Sequence, residues 1–292
     1  MRACELTIEL GERPWLMGIV NAAPDSFSDG DAYPDLDARV ARAERLLRDG
    51  ADVIDIGGES ASTGSEPVTV EEEIERVAPL VEKVAGTLGA LVSVDTYKPQ
   101  VASAAIAAGA RIVNDVSGLR DPTLAEVCAR SGAALVLMHT RAAPRQRLQD
   151  PDLYDDVAAE VLAFLRERIE RTLVAGCQPE QLIVDPGPDF AKTPAQTIRL
   201  LRELPRLHEL GRPLLLAISR KDFIGALTVR PPRARLAGTL AALSYCAEKG
   251  GHIFRVHDVD AAADFLRVRA ALAGELEVEE RLALSEELRL ER

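Results

Sequence analysis

The chain of 292 residues carries 35 Lys and Arg against 47 Asp and Glu, a formal net charge of −12, and is 47% hydrophobic. That acidity argues against general nucleic-acid binding, which needs a basic surface to displace counterions from phosphates. Apolar runs such as "AALVLM" and "PLLLAI" have the length of core strands and fall short of a membrane span, so a globular protein that binds no membrane is expected.

The chain opens on "MRACELTIELGERPW", where charges alternate with apolar residues; this reads as a short strand and turn, not an export signal, and a cytoplasmic location is expected. Eight short β-rich runs then follow in order: "WLMGIV", "DVIDI", "ALVSV", "RIVN", "ALVLM", "LIVD", "LLLAI" and "HIFRV". Amphipathic segments separate them, among them "DLDARVARAERLLRDG", "TVEEEIERVAPLVEKVAG" and "VASAAIAAGA", each with a Gly at or near its end to cap a helix. Strict strand–helix alternation with continuously apolar strands implies parallel pairing through helical crossovers. Eight such units are the count of an α/β (β/α)8 TIM barrel. An open doubly wound sheet is the alternative, but the phosphate-binding G-x-G-x-x-G after the first strand is missing.

No linker or low-complexity tract interrupts the series, so one domain over 1–292 is expected, with a barrel core of about 14–272. Residues 3–12 are expected to form a hairpin arm over the bottom of the barrel. The segment "ELEVEERLALSEELRLER" after Gly274 is expected to form an extra charged amphipathic helix packed on the barrel or on a partner subunit. Cys4, Cys128, Cys177 and Cys246 form no CxxC pair, which opposes a disulfide framework or a zinc site and leaves them as small buried hydrophobes.

In a TIM barrel, chemistry sits at the C-terminal ends of the strands. Here those ends are polar: Asn21; Asp55 leading to Glu59 and Ser60; Asp95; Asn114; His139; Asp185; Ser219, Arg220 and Lys221; and Arg255 with His257. Singly, each has a plain structural explanation: Asp95 or Asp121 could cap a helix, Asn114 and Asp185 could shape turns, and Lys221 could be a solvated charge. Capping gives no reason for Lys221, Arg255 and His257 to end the last two strands. Those strands commonly bind phosphate, and an Arg fork beside His and Lys suits a diphosphate. Asp95, Asn114 and Asp185 would point inward and could accept hydrogen bonds from a flat heterocycle with several N–H donors.

These motifs together resemble the dihydropteroate synthases of folate biosynthesis. The resemblance spans roughly residues 14–272 through "MGIVNAAPDSFSDG", "DVIDIGGES", "SVDTYKPQVASAA", "GARIVNDVSGL", "ALVLMH", "DPGPDF", "SRKDFIG" and "FRVHDV". It implies a TIM barrel, often dimeric, that joins 6-hydroxymethyl-7,8-dihydropterin diphosphate to p-aminobenzoate or another amine with release of diphosphate. By the same resemblance Asp95, Asn114 and Asp185 clamp the pterin, Lys221 reaches its ring, Arg255 and His257 hold the diphosphate, and Asp55 supports the pocket. Phe190 and Ser219 complete the substrate-binding set, Asn21 contacts the diphosphate through Mg2+, and Lys221, Asp95 and Arg255 carry the catalysis. The loops "NAAPDSFSDGDAY" and "GGESASTGSEP" are expected to be lids.

Departures from the family pattern gather on the amine side. Asp222 stands where a serine is usual, Ala61, Ser62 and Thr63 replace a Thr-Arg-Pro run, Asp189 and Ala191 replace glycines, and Ala23 replaces a threonine. They leave open a pterin-binding paralogue with lost or altered synthase activity. A methyltetrahydrofolate-binding methyltransferase is a further alternative that gives Lys221, Arg255 and His257 no role.

Overall fold

The computed structural model describes residues 1–11, 13–22, 35–59 and 67–289. It opens with a short antiparallel pair, β1 (Arg2–Ala3) and β2 (Leu6–Thr7). Strands and helices then alternate: β3 (Trp15–Asn21), α1 (Leu36–Arg48), β4 (Val53–Gly57), α2 (Val70–Leu88), β5 (Val92–Asp95), α3 (Pro99–Ala108) and β6 (Ile112–Asp115). The second half continues with α4 (Thr123–Ser131), β7 (Ala134–Met138), α5 (Val157–Val174), β8 (Leu182–Asp185), α6 (Pro194–Arg202) and β9 (Leu215–Leu216). It closes with α7 (Asp222–Thr228), α8 (Leu236–Glu248), β10 (Ile253–Val256), α9 (Val259–Ala273) and α10 (Glu286–Arg289).

The helices start and stop where the sequence supplies the chemistry. Thr69 and Glu72 form a capping box at α2, Thr193 and Gln196 another at α6, and Asp35 accepts from the Ala38 N–H at α1. Each such cap satisfies an otherwise orphaned donor, a contribution of about 1 kcal/mol. Gly89 at φ 64° ends α2 in the left-handed region.

The strands β3 to β8 pair in sequence, all parallel, and β10 lies between β3 and β9. The ring closes between β8 and β9 by a narrower contact, a bridge pairing Val184 with Leu214 and the Val184 N–H donating to the Pro213 carbonyl at 2.9 Å. The eight strands thus form the nearly closed (β/α)8 barrel the alternation implies. The seventh barrel strand is shorter than "LLLAI": the chain leaves the ladder after Leu216, and Arg220 at φ 58° donates its N–H to Thr239 Oγ1.

Period-two alternation divides the strand residues between two cores. Leu16, Ile54, Val94, Val113, Leu135, Val184 and Phe254 pack outward against the helices. Met17, Val53, Ile112, Val136, Ile183, Leu215 and Ile253 pack inside the barrel, where Ala3, Met1, Ile8 and Leu10 of the N-terminal arm join them. The arm therefore covers one end of the barrel, as expected. Two residues further along the same strands, on the same inward face, the apolar layer gives way to Asp55, Asn114, Asp185 and Arg255.

After Gly274 the chain is mostly irregular, and only Glu286–Arg289 is helical among the described residues. Leu276, Val278, Leu282, Leu284 and Leu288 are exposed, so the expected packing of this segment on the barrel is not found. Among the described residues no helix is long and apolar enough to cross a membrane.

Candidate active site

Four strand ends converge in one hydrogen-bonded cluster at the barrel mouth. Arg255 donates from Nε to Asp55 Oδ2 at 2.6 Å and from Nη2 to Asp95 Oδ2 at 2.9 Å. Asn114 Nδ2 donates to the same Asp55 oxygen at 3.2 Å. Asp55 is fully buried and its Oδ1 has no partner, an acceptor that is costly to leave unmet and that suits an N–H-rich ligand. Burial, partly offset by Arg255, raises Asp95 to about 7. The expected diphosphate ligand Arg255 is thus turned toward the carboxylates here.

Asp185 ends β8 within the turn "DPGPDF". Burial raises it to about 6, opposed by the Gly187 N–H that donates to its Oδ1 at 2.7 Å. Gly187 has φ 65°, and a Cβ there would strike the His139 carbonyl oxygen, so only glycine fits. Beneath this turn lies Lys192, fully buried, its Nζ against the Gly187 carbonyl at 2.9 Å, the Phe190 carbonyl at 3.0 Å and His139 Nδ1 at 2.8 Å. Burial lowers Lys192 to about 7 and, with Lys192 beside it, His139 to about 2. His139 was legible as a strand-end residue, but this strut was not; its signal was a lysine set among turn residues behind an apolar strand.

Asp189 does not project its charge into the amine side of the mouth. It adopts φ 64°, which accounts for the glycine usual there, and its Oδ1 accepts from Thr197 Oγ1 at 3.0 Å. Its Oδ2 accepts from the Phe223 N–H at 3.2 Å, tying the turn after β8 to the first turn of α7.

The segment after β9 sorts its cations. Arg220 grips Asp258 with two bonds, Nε to Oδ2 at 3.1 Å and Nη2 to Oδ1 at 2.6 Å, a paired, charge-assisted contact. Lys221 sets Nζ 4.1 Å from the centre of the Phe190 ring, and burial lowers its pKa. His257 Nδ1 lies 2.9 Å from Ser219 Oγ. Burial, with Arg220 and Arg255 nearby, pushes His257 down to about 3, so at neutral pH it offers an N–H donor and no charge. Asp222 is held between Arg235 Nη1 at 3.2 Å and Arg147 Nη2 at 3.6 Å.

Asn21 ends β3 opposite Gly57 of β4. Its amide oxygen is a hard donor of the kind Mg2+ accepts, and Mg2+ commonly takes one or two protein oxygens together with substrate phosphates. Among the described residues no group of three or more His, Cys, Asp or Glu could hold a metal ion. Glu59 accepts from Tyr97 Oη at 2.8 Å and pairs with Lys98 at 3.3 Å, which places it in the wall of the mouth. The lid expectations for 23–34 and 60–66, including Ala23, Ser60, Ala61, Ser62, Thr63 and Gly64, lie outside the described residues.

Residues 17–257 match the family described as pterin binding enzyme. The dihydropteroate synthase of Synechocystis is 42% identical over 264 residues, covering 90% of this chain and 91% of the relative. The Xanthomonas albilineans dihydropteroate synthase solved with 4-aminobenzoic acid is 46% identical at a TM-score of 0.82, covering 89% of this chain and 93% of that one. The same enzyme in complex with 7,8-dihydropteroate gives 44% identity and a TM-score of 0.81, over 94% of this chain and 99% of that one.

Proposed function

The chain belongs to the pterin-binding enzyme family, and from that membership we propose how its residues divide the work of a dihydropteroate synthase. It is a transferase of folate biosynthesis that condenses 6-hydroxymethyl-7,8-dihydropterin diphosphate with p-aminobenzoate to dihydropteroate and diphosphate. The observation that carries the division of roles is the inward polar layer of Asp55, Asn114, Asp185 and Arg255, with Asp95 bonded to it, directly above an apolar one.

Asp95, Asn114 and Asp185 accept and orient the pterin ring, and Asp55 fixes Asn114 and Arg255 from below. Lys221, held over Phe190, covers the ring from the side of β9. The C–O bond to the diphosphate breaks with its electron pair leaving on oxygen. The carboxylates oppose the positive charge that develops on the pterin methylene. The N–H of a neutral His257, oriented by Ser219, receives the diphosphate, while Arg255 keeps its bonds to Asp55 and Asp95 and adds only its positive charge. Bound Mg2+ would neutralise charge on that leaving group, and Asn21 would hold it through its amide oxygen. The amine nitrogen then forms the C–N bond and loses a proton, with no covalent enzyme intermediate.

One domain, a homodimer and a cytoplasmic location complete this reading. The exposed apolar side chains Leu227, Val229, Val268 and Leu272 offer surface for self-association. The reading of a paralogue without synthase activity loses weight because the charge of Asp222 is countered by Arg235. Purified protein with Mg2+ and both substrates should release one diphosphate per dihydropteroate formed; tight pterin binding without product would refute the reaction.

A further inference from the structure

The reaction needs the amine nitrogen of p-aminobenzoate at the barrel axis, so the carboxylate on the opposite side of its ring faces the rim. A cation there would complement its charge. The segments 23–34 and 60–66 contain neither Lys nor Arg. The deeper cations of this face are committed: Arg255 to Asp55 and Asp95, Arg220 to Asp258, and Lys98 to Glu73 and Glu59.

Arginines near Phe190 and Asp222 remain. Arg145 lines the cavity between Asp95 and Phe190 but is drawn toward Glu59 at 3.5 Å. Arg235 is 11% exposed and donates to the carbonyls of Arg220, Lys221 and Arg230 as well as to Asp222. Arg147 differs: its side chain is 63% exposed, it follows the cavity-lining Arg145 and Gln146, and among the described residues it is held by Gln149 at 3.0 Å and Asp222 at 3.6 Å. Around Asp222 two guanidinium groups face one carboxylate, an arrangement that a second carboxylate would balance.

We propose that Arg147, tethered at the rim by Asp222, binds the carboxylate of the amine substrate and selects anionic over neutral arylamines. Asp222 then serves as the residue that positions the cation, and its departure from serine is matched by a guanidinium from the segment between β7 and α5. The proposal rests on the reaction assigned above.

Steady-state kinetics with Mg2+ and saturating pterin diphosphate test it, using p-aminobenzoate and the neutral 4-aminobenzamide. Arg147→Ala should raise KM for p-aminobenzoate by about tenfold, the scale of one charge-assisted contact, with kcat retained. KM for 4-aminobenzamide should stay the same, and Arg147→Lys should recover much of the loss. An unchanged KM for p-aminobenzoate, or an equal rise for both amines, would overturn the proposal. A wild-type protein that condenses neither amine would instead overturn the reaction itself, and this inference with it.

Discussion

Asp185 and Lys192 sit on one turn, and their titrations act on different properties. Asp185, the proposed pterin acceptor, has its full accepting capacity only when ionised, and burial raises its pKa to about 6. Pterin affinity should therefore fall as pH drops through 7 and 6, where Asp95 and then Asp185 take up protons, as read by titration calorimetry across pH 5 to 8. Lys192 has its pKa depressed from 10.5 to about 7. Depression in the folded state means the unfolded chain binds more protons between these values, so folding stability should rise with pH from 7 upward. Lys221 is shifted in the same direction, and buried thiols such as Cys246 oppose the trend only as pH nears 9.0. Denaturant unfolding at pH 7 and near pH 9 should show the rise, and Lys192→Met should flatten it. His257 was legible as a site residue, yet its neutral state was not, because its burial and cationic neighbours come from the fold.

At the scale of elements, the turn after β8 is the critical one. Gly187→Ala would force a Cβ against the His139 carbonyl at a positive φ, displacing the N–H that orients Asp185. This variant should lose stability by about 1 to 3 kcal/mol and pterin affinity along with it, measured by unfolding and calorimetry. The segment after Gly274 should behave oppositely. Its apolar side chains are exposed, so truncation there should leave the melting temperature of the barrel nearly unchanged. Amphipathic spacing suggested a longer helix in that segment, but a helix without a packed face is marginal in water, and among the described residues one turn forms.

Across the whole molecule, the barrel was readable because strands covered on both faces leave unbroken apolar runs, and polar residues at the C-terminal ends of most runs mark the mouth. That pattern located Asp95, Asn114, Asp185 and Arg255 before any contact was known. It could not show which charges were already spent. Asp189 is held by Thr197, eight residues on in the next helix, and by Phe223, and Arg220 by Asp258, partners 34 and 38 residues away that the folded barrel brings near. The short β9 was hidden as well: the chain leaves the ladder after Leu216, and the Arg220 N–H donates to Thr239 on α8. The central claim is that a layer of inward acids recognises the pterin itself. Its most direct test is the affinity for 6-hydroxymethyl pterin lacking the diphosphate, in the wild type and in Asp185→Asn. Loss of a paired buried acceptor should weaken binding by at least about tenfold, while inorganic diphosphate binds both proteins alike; equal pterin affinity in the two would contradict the account.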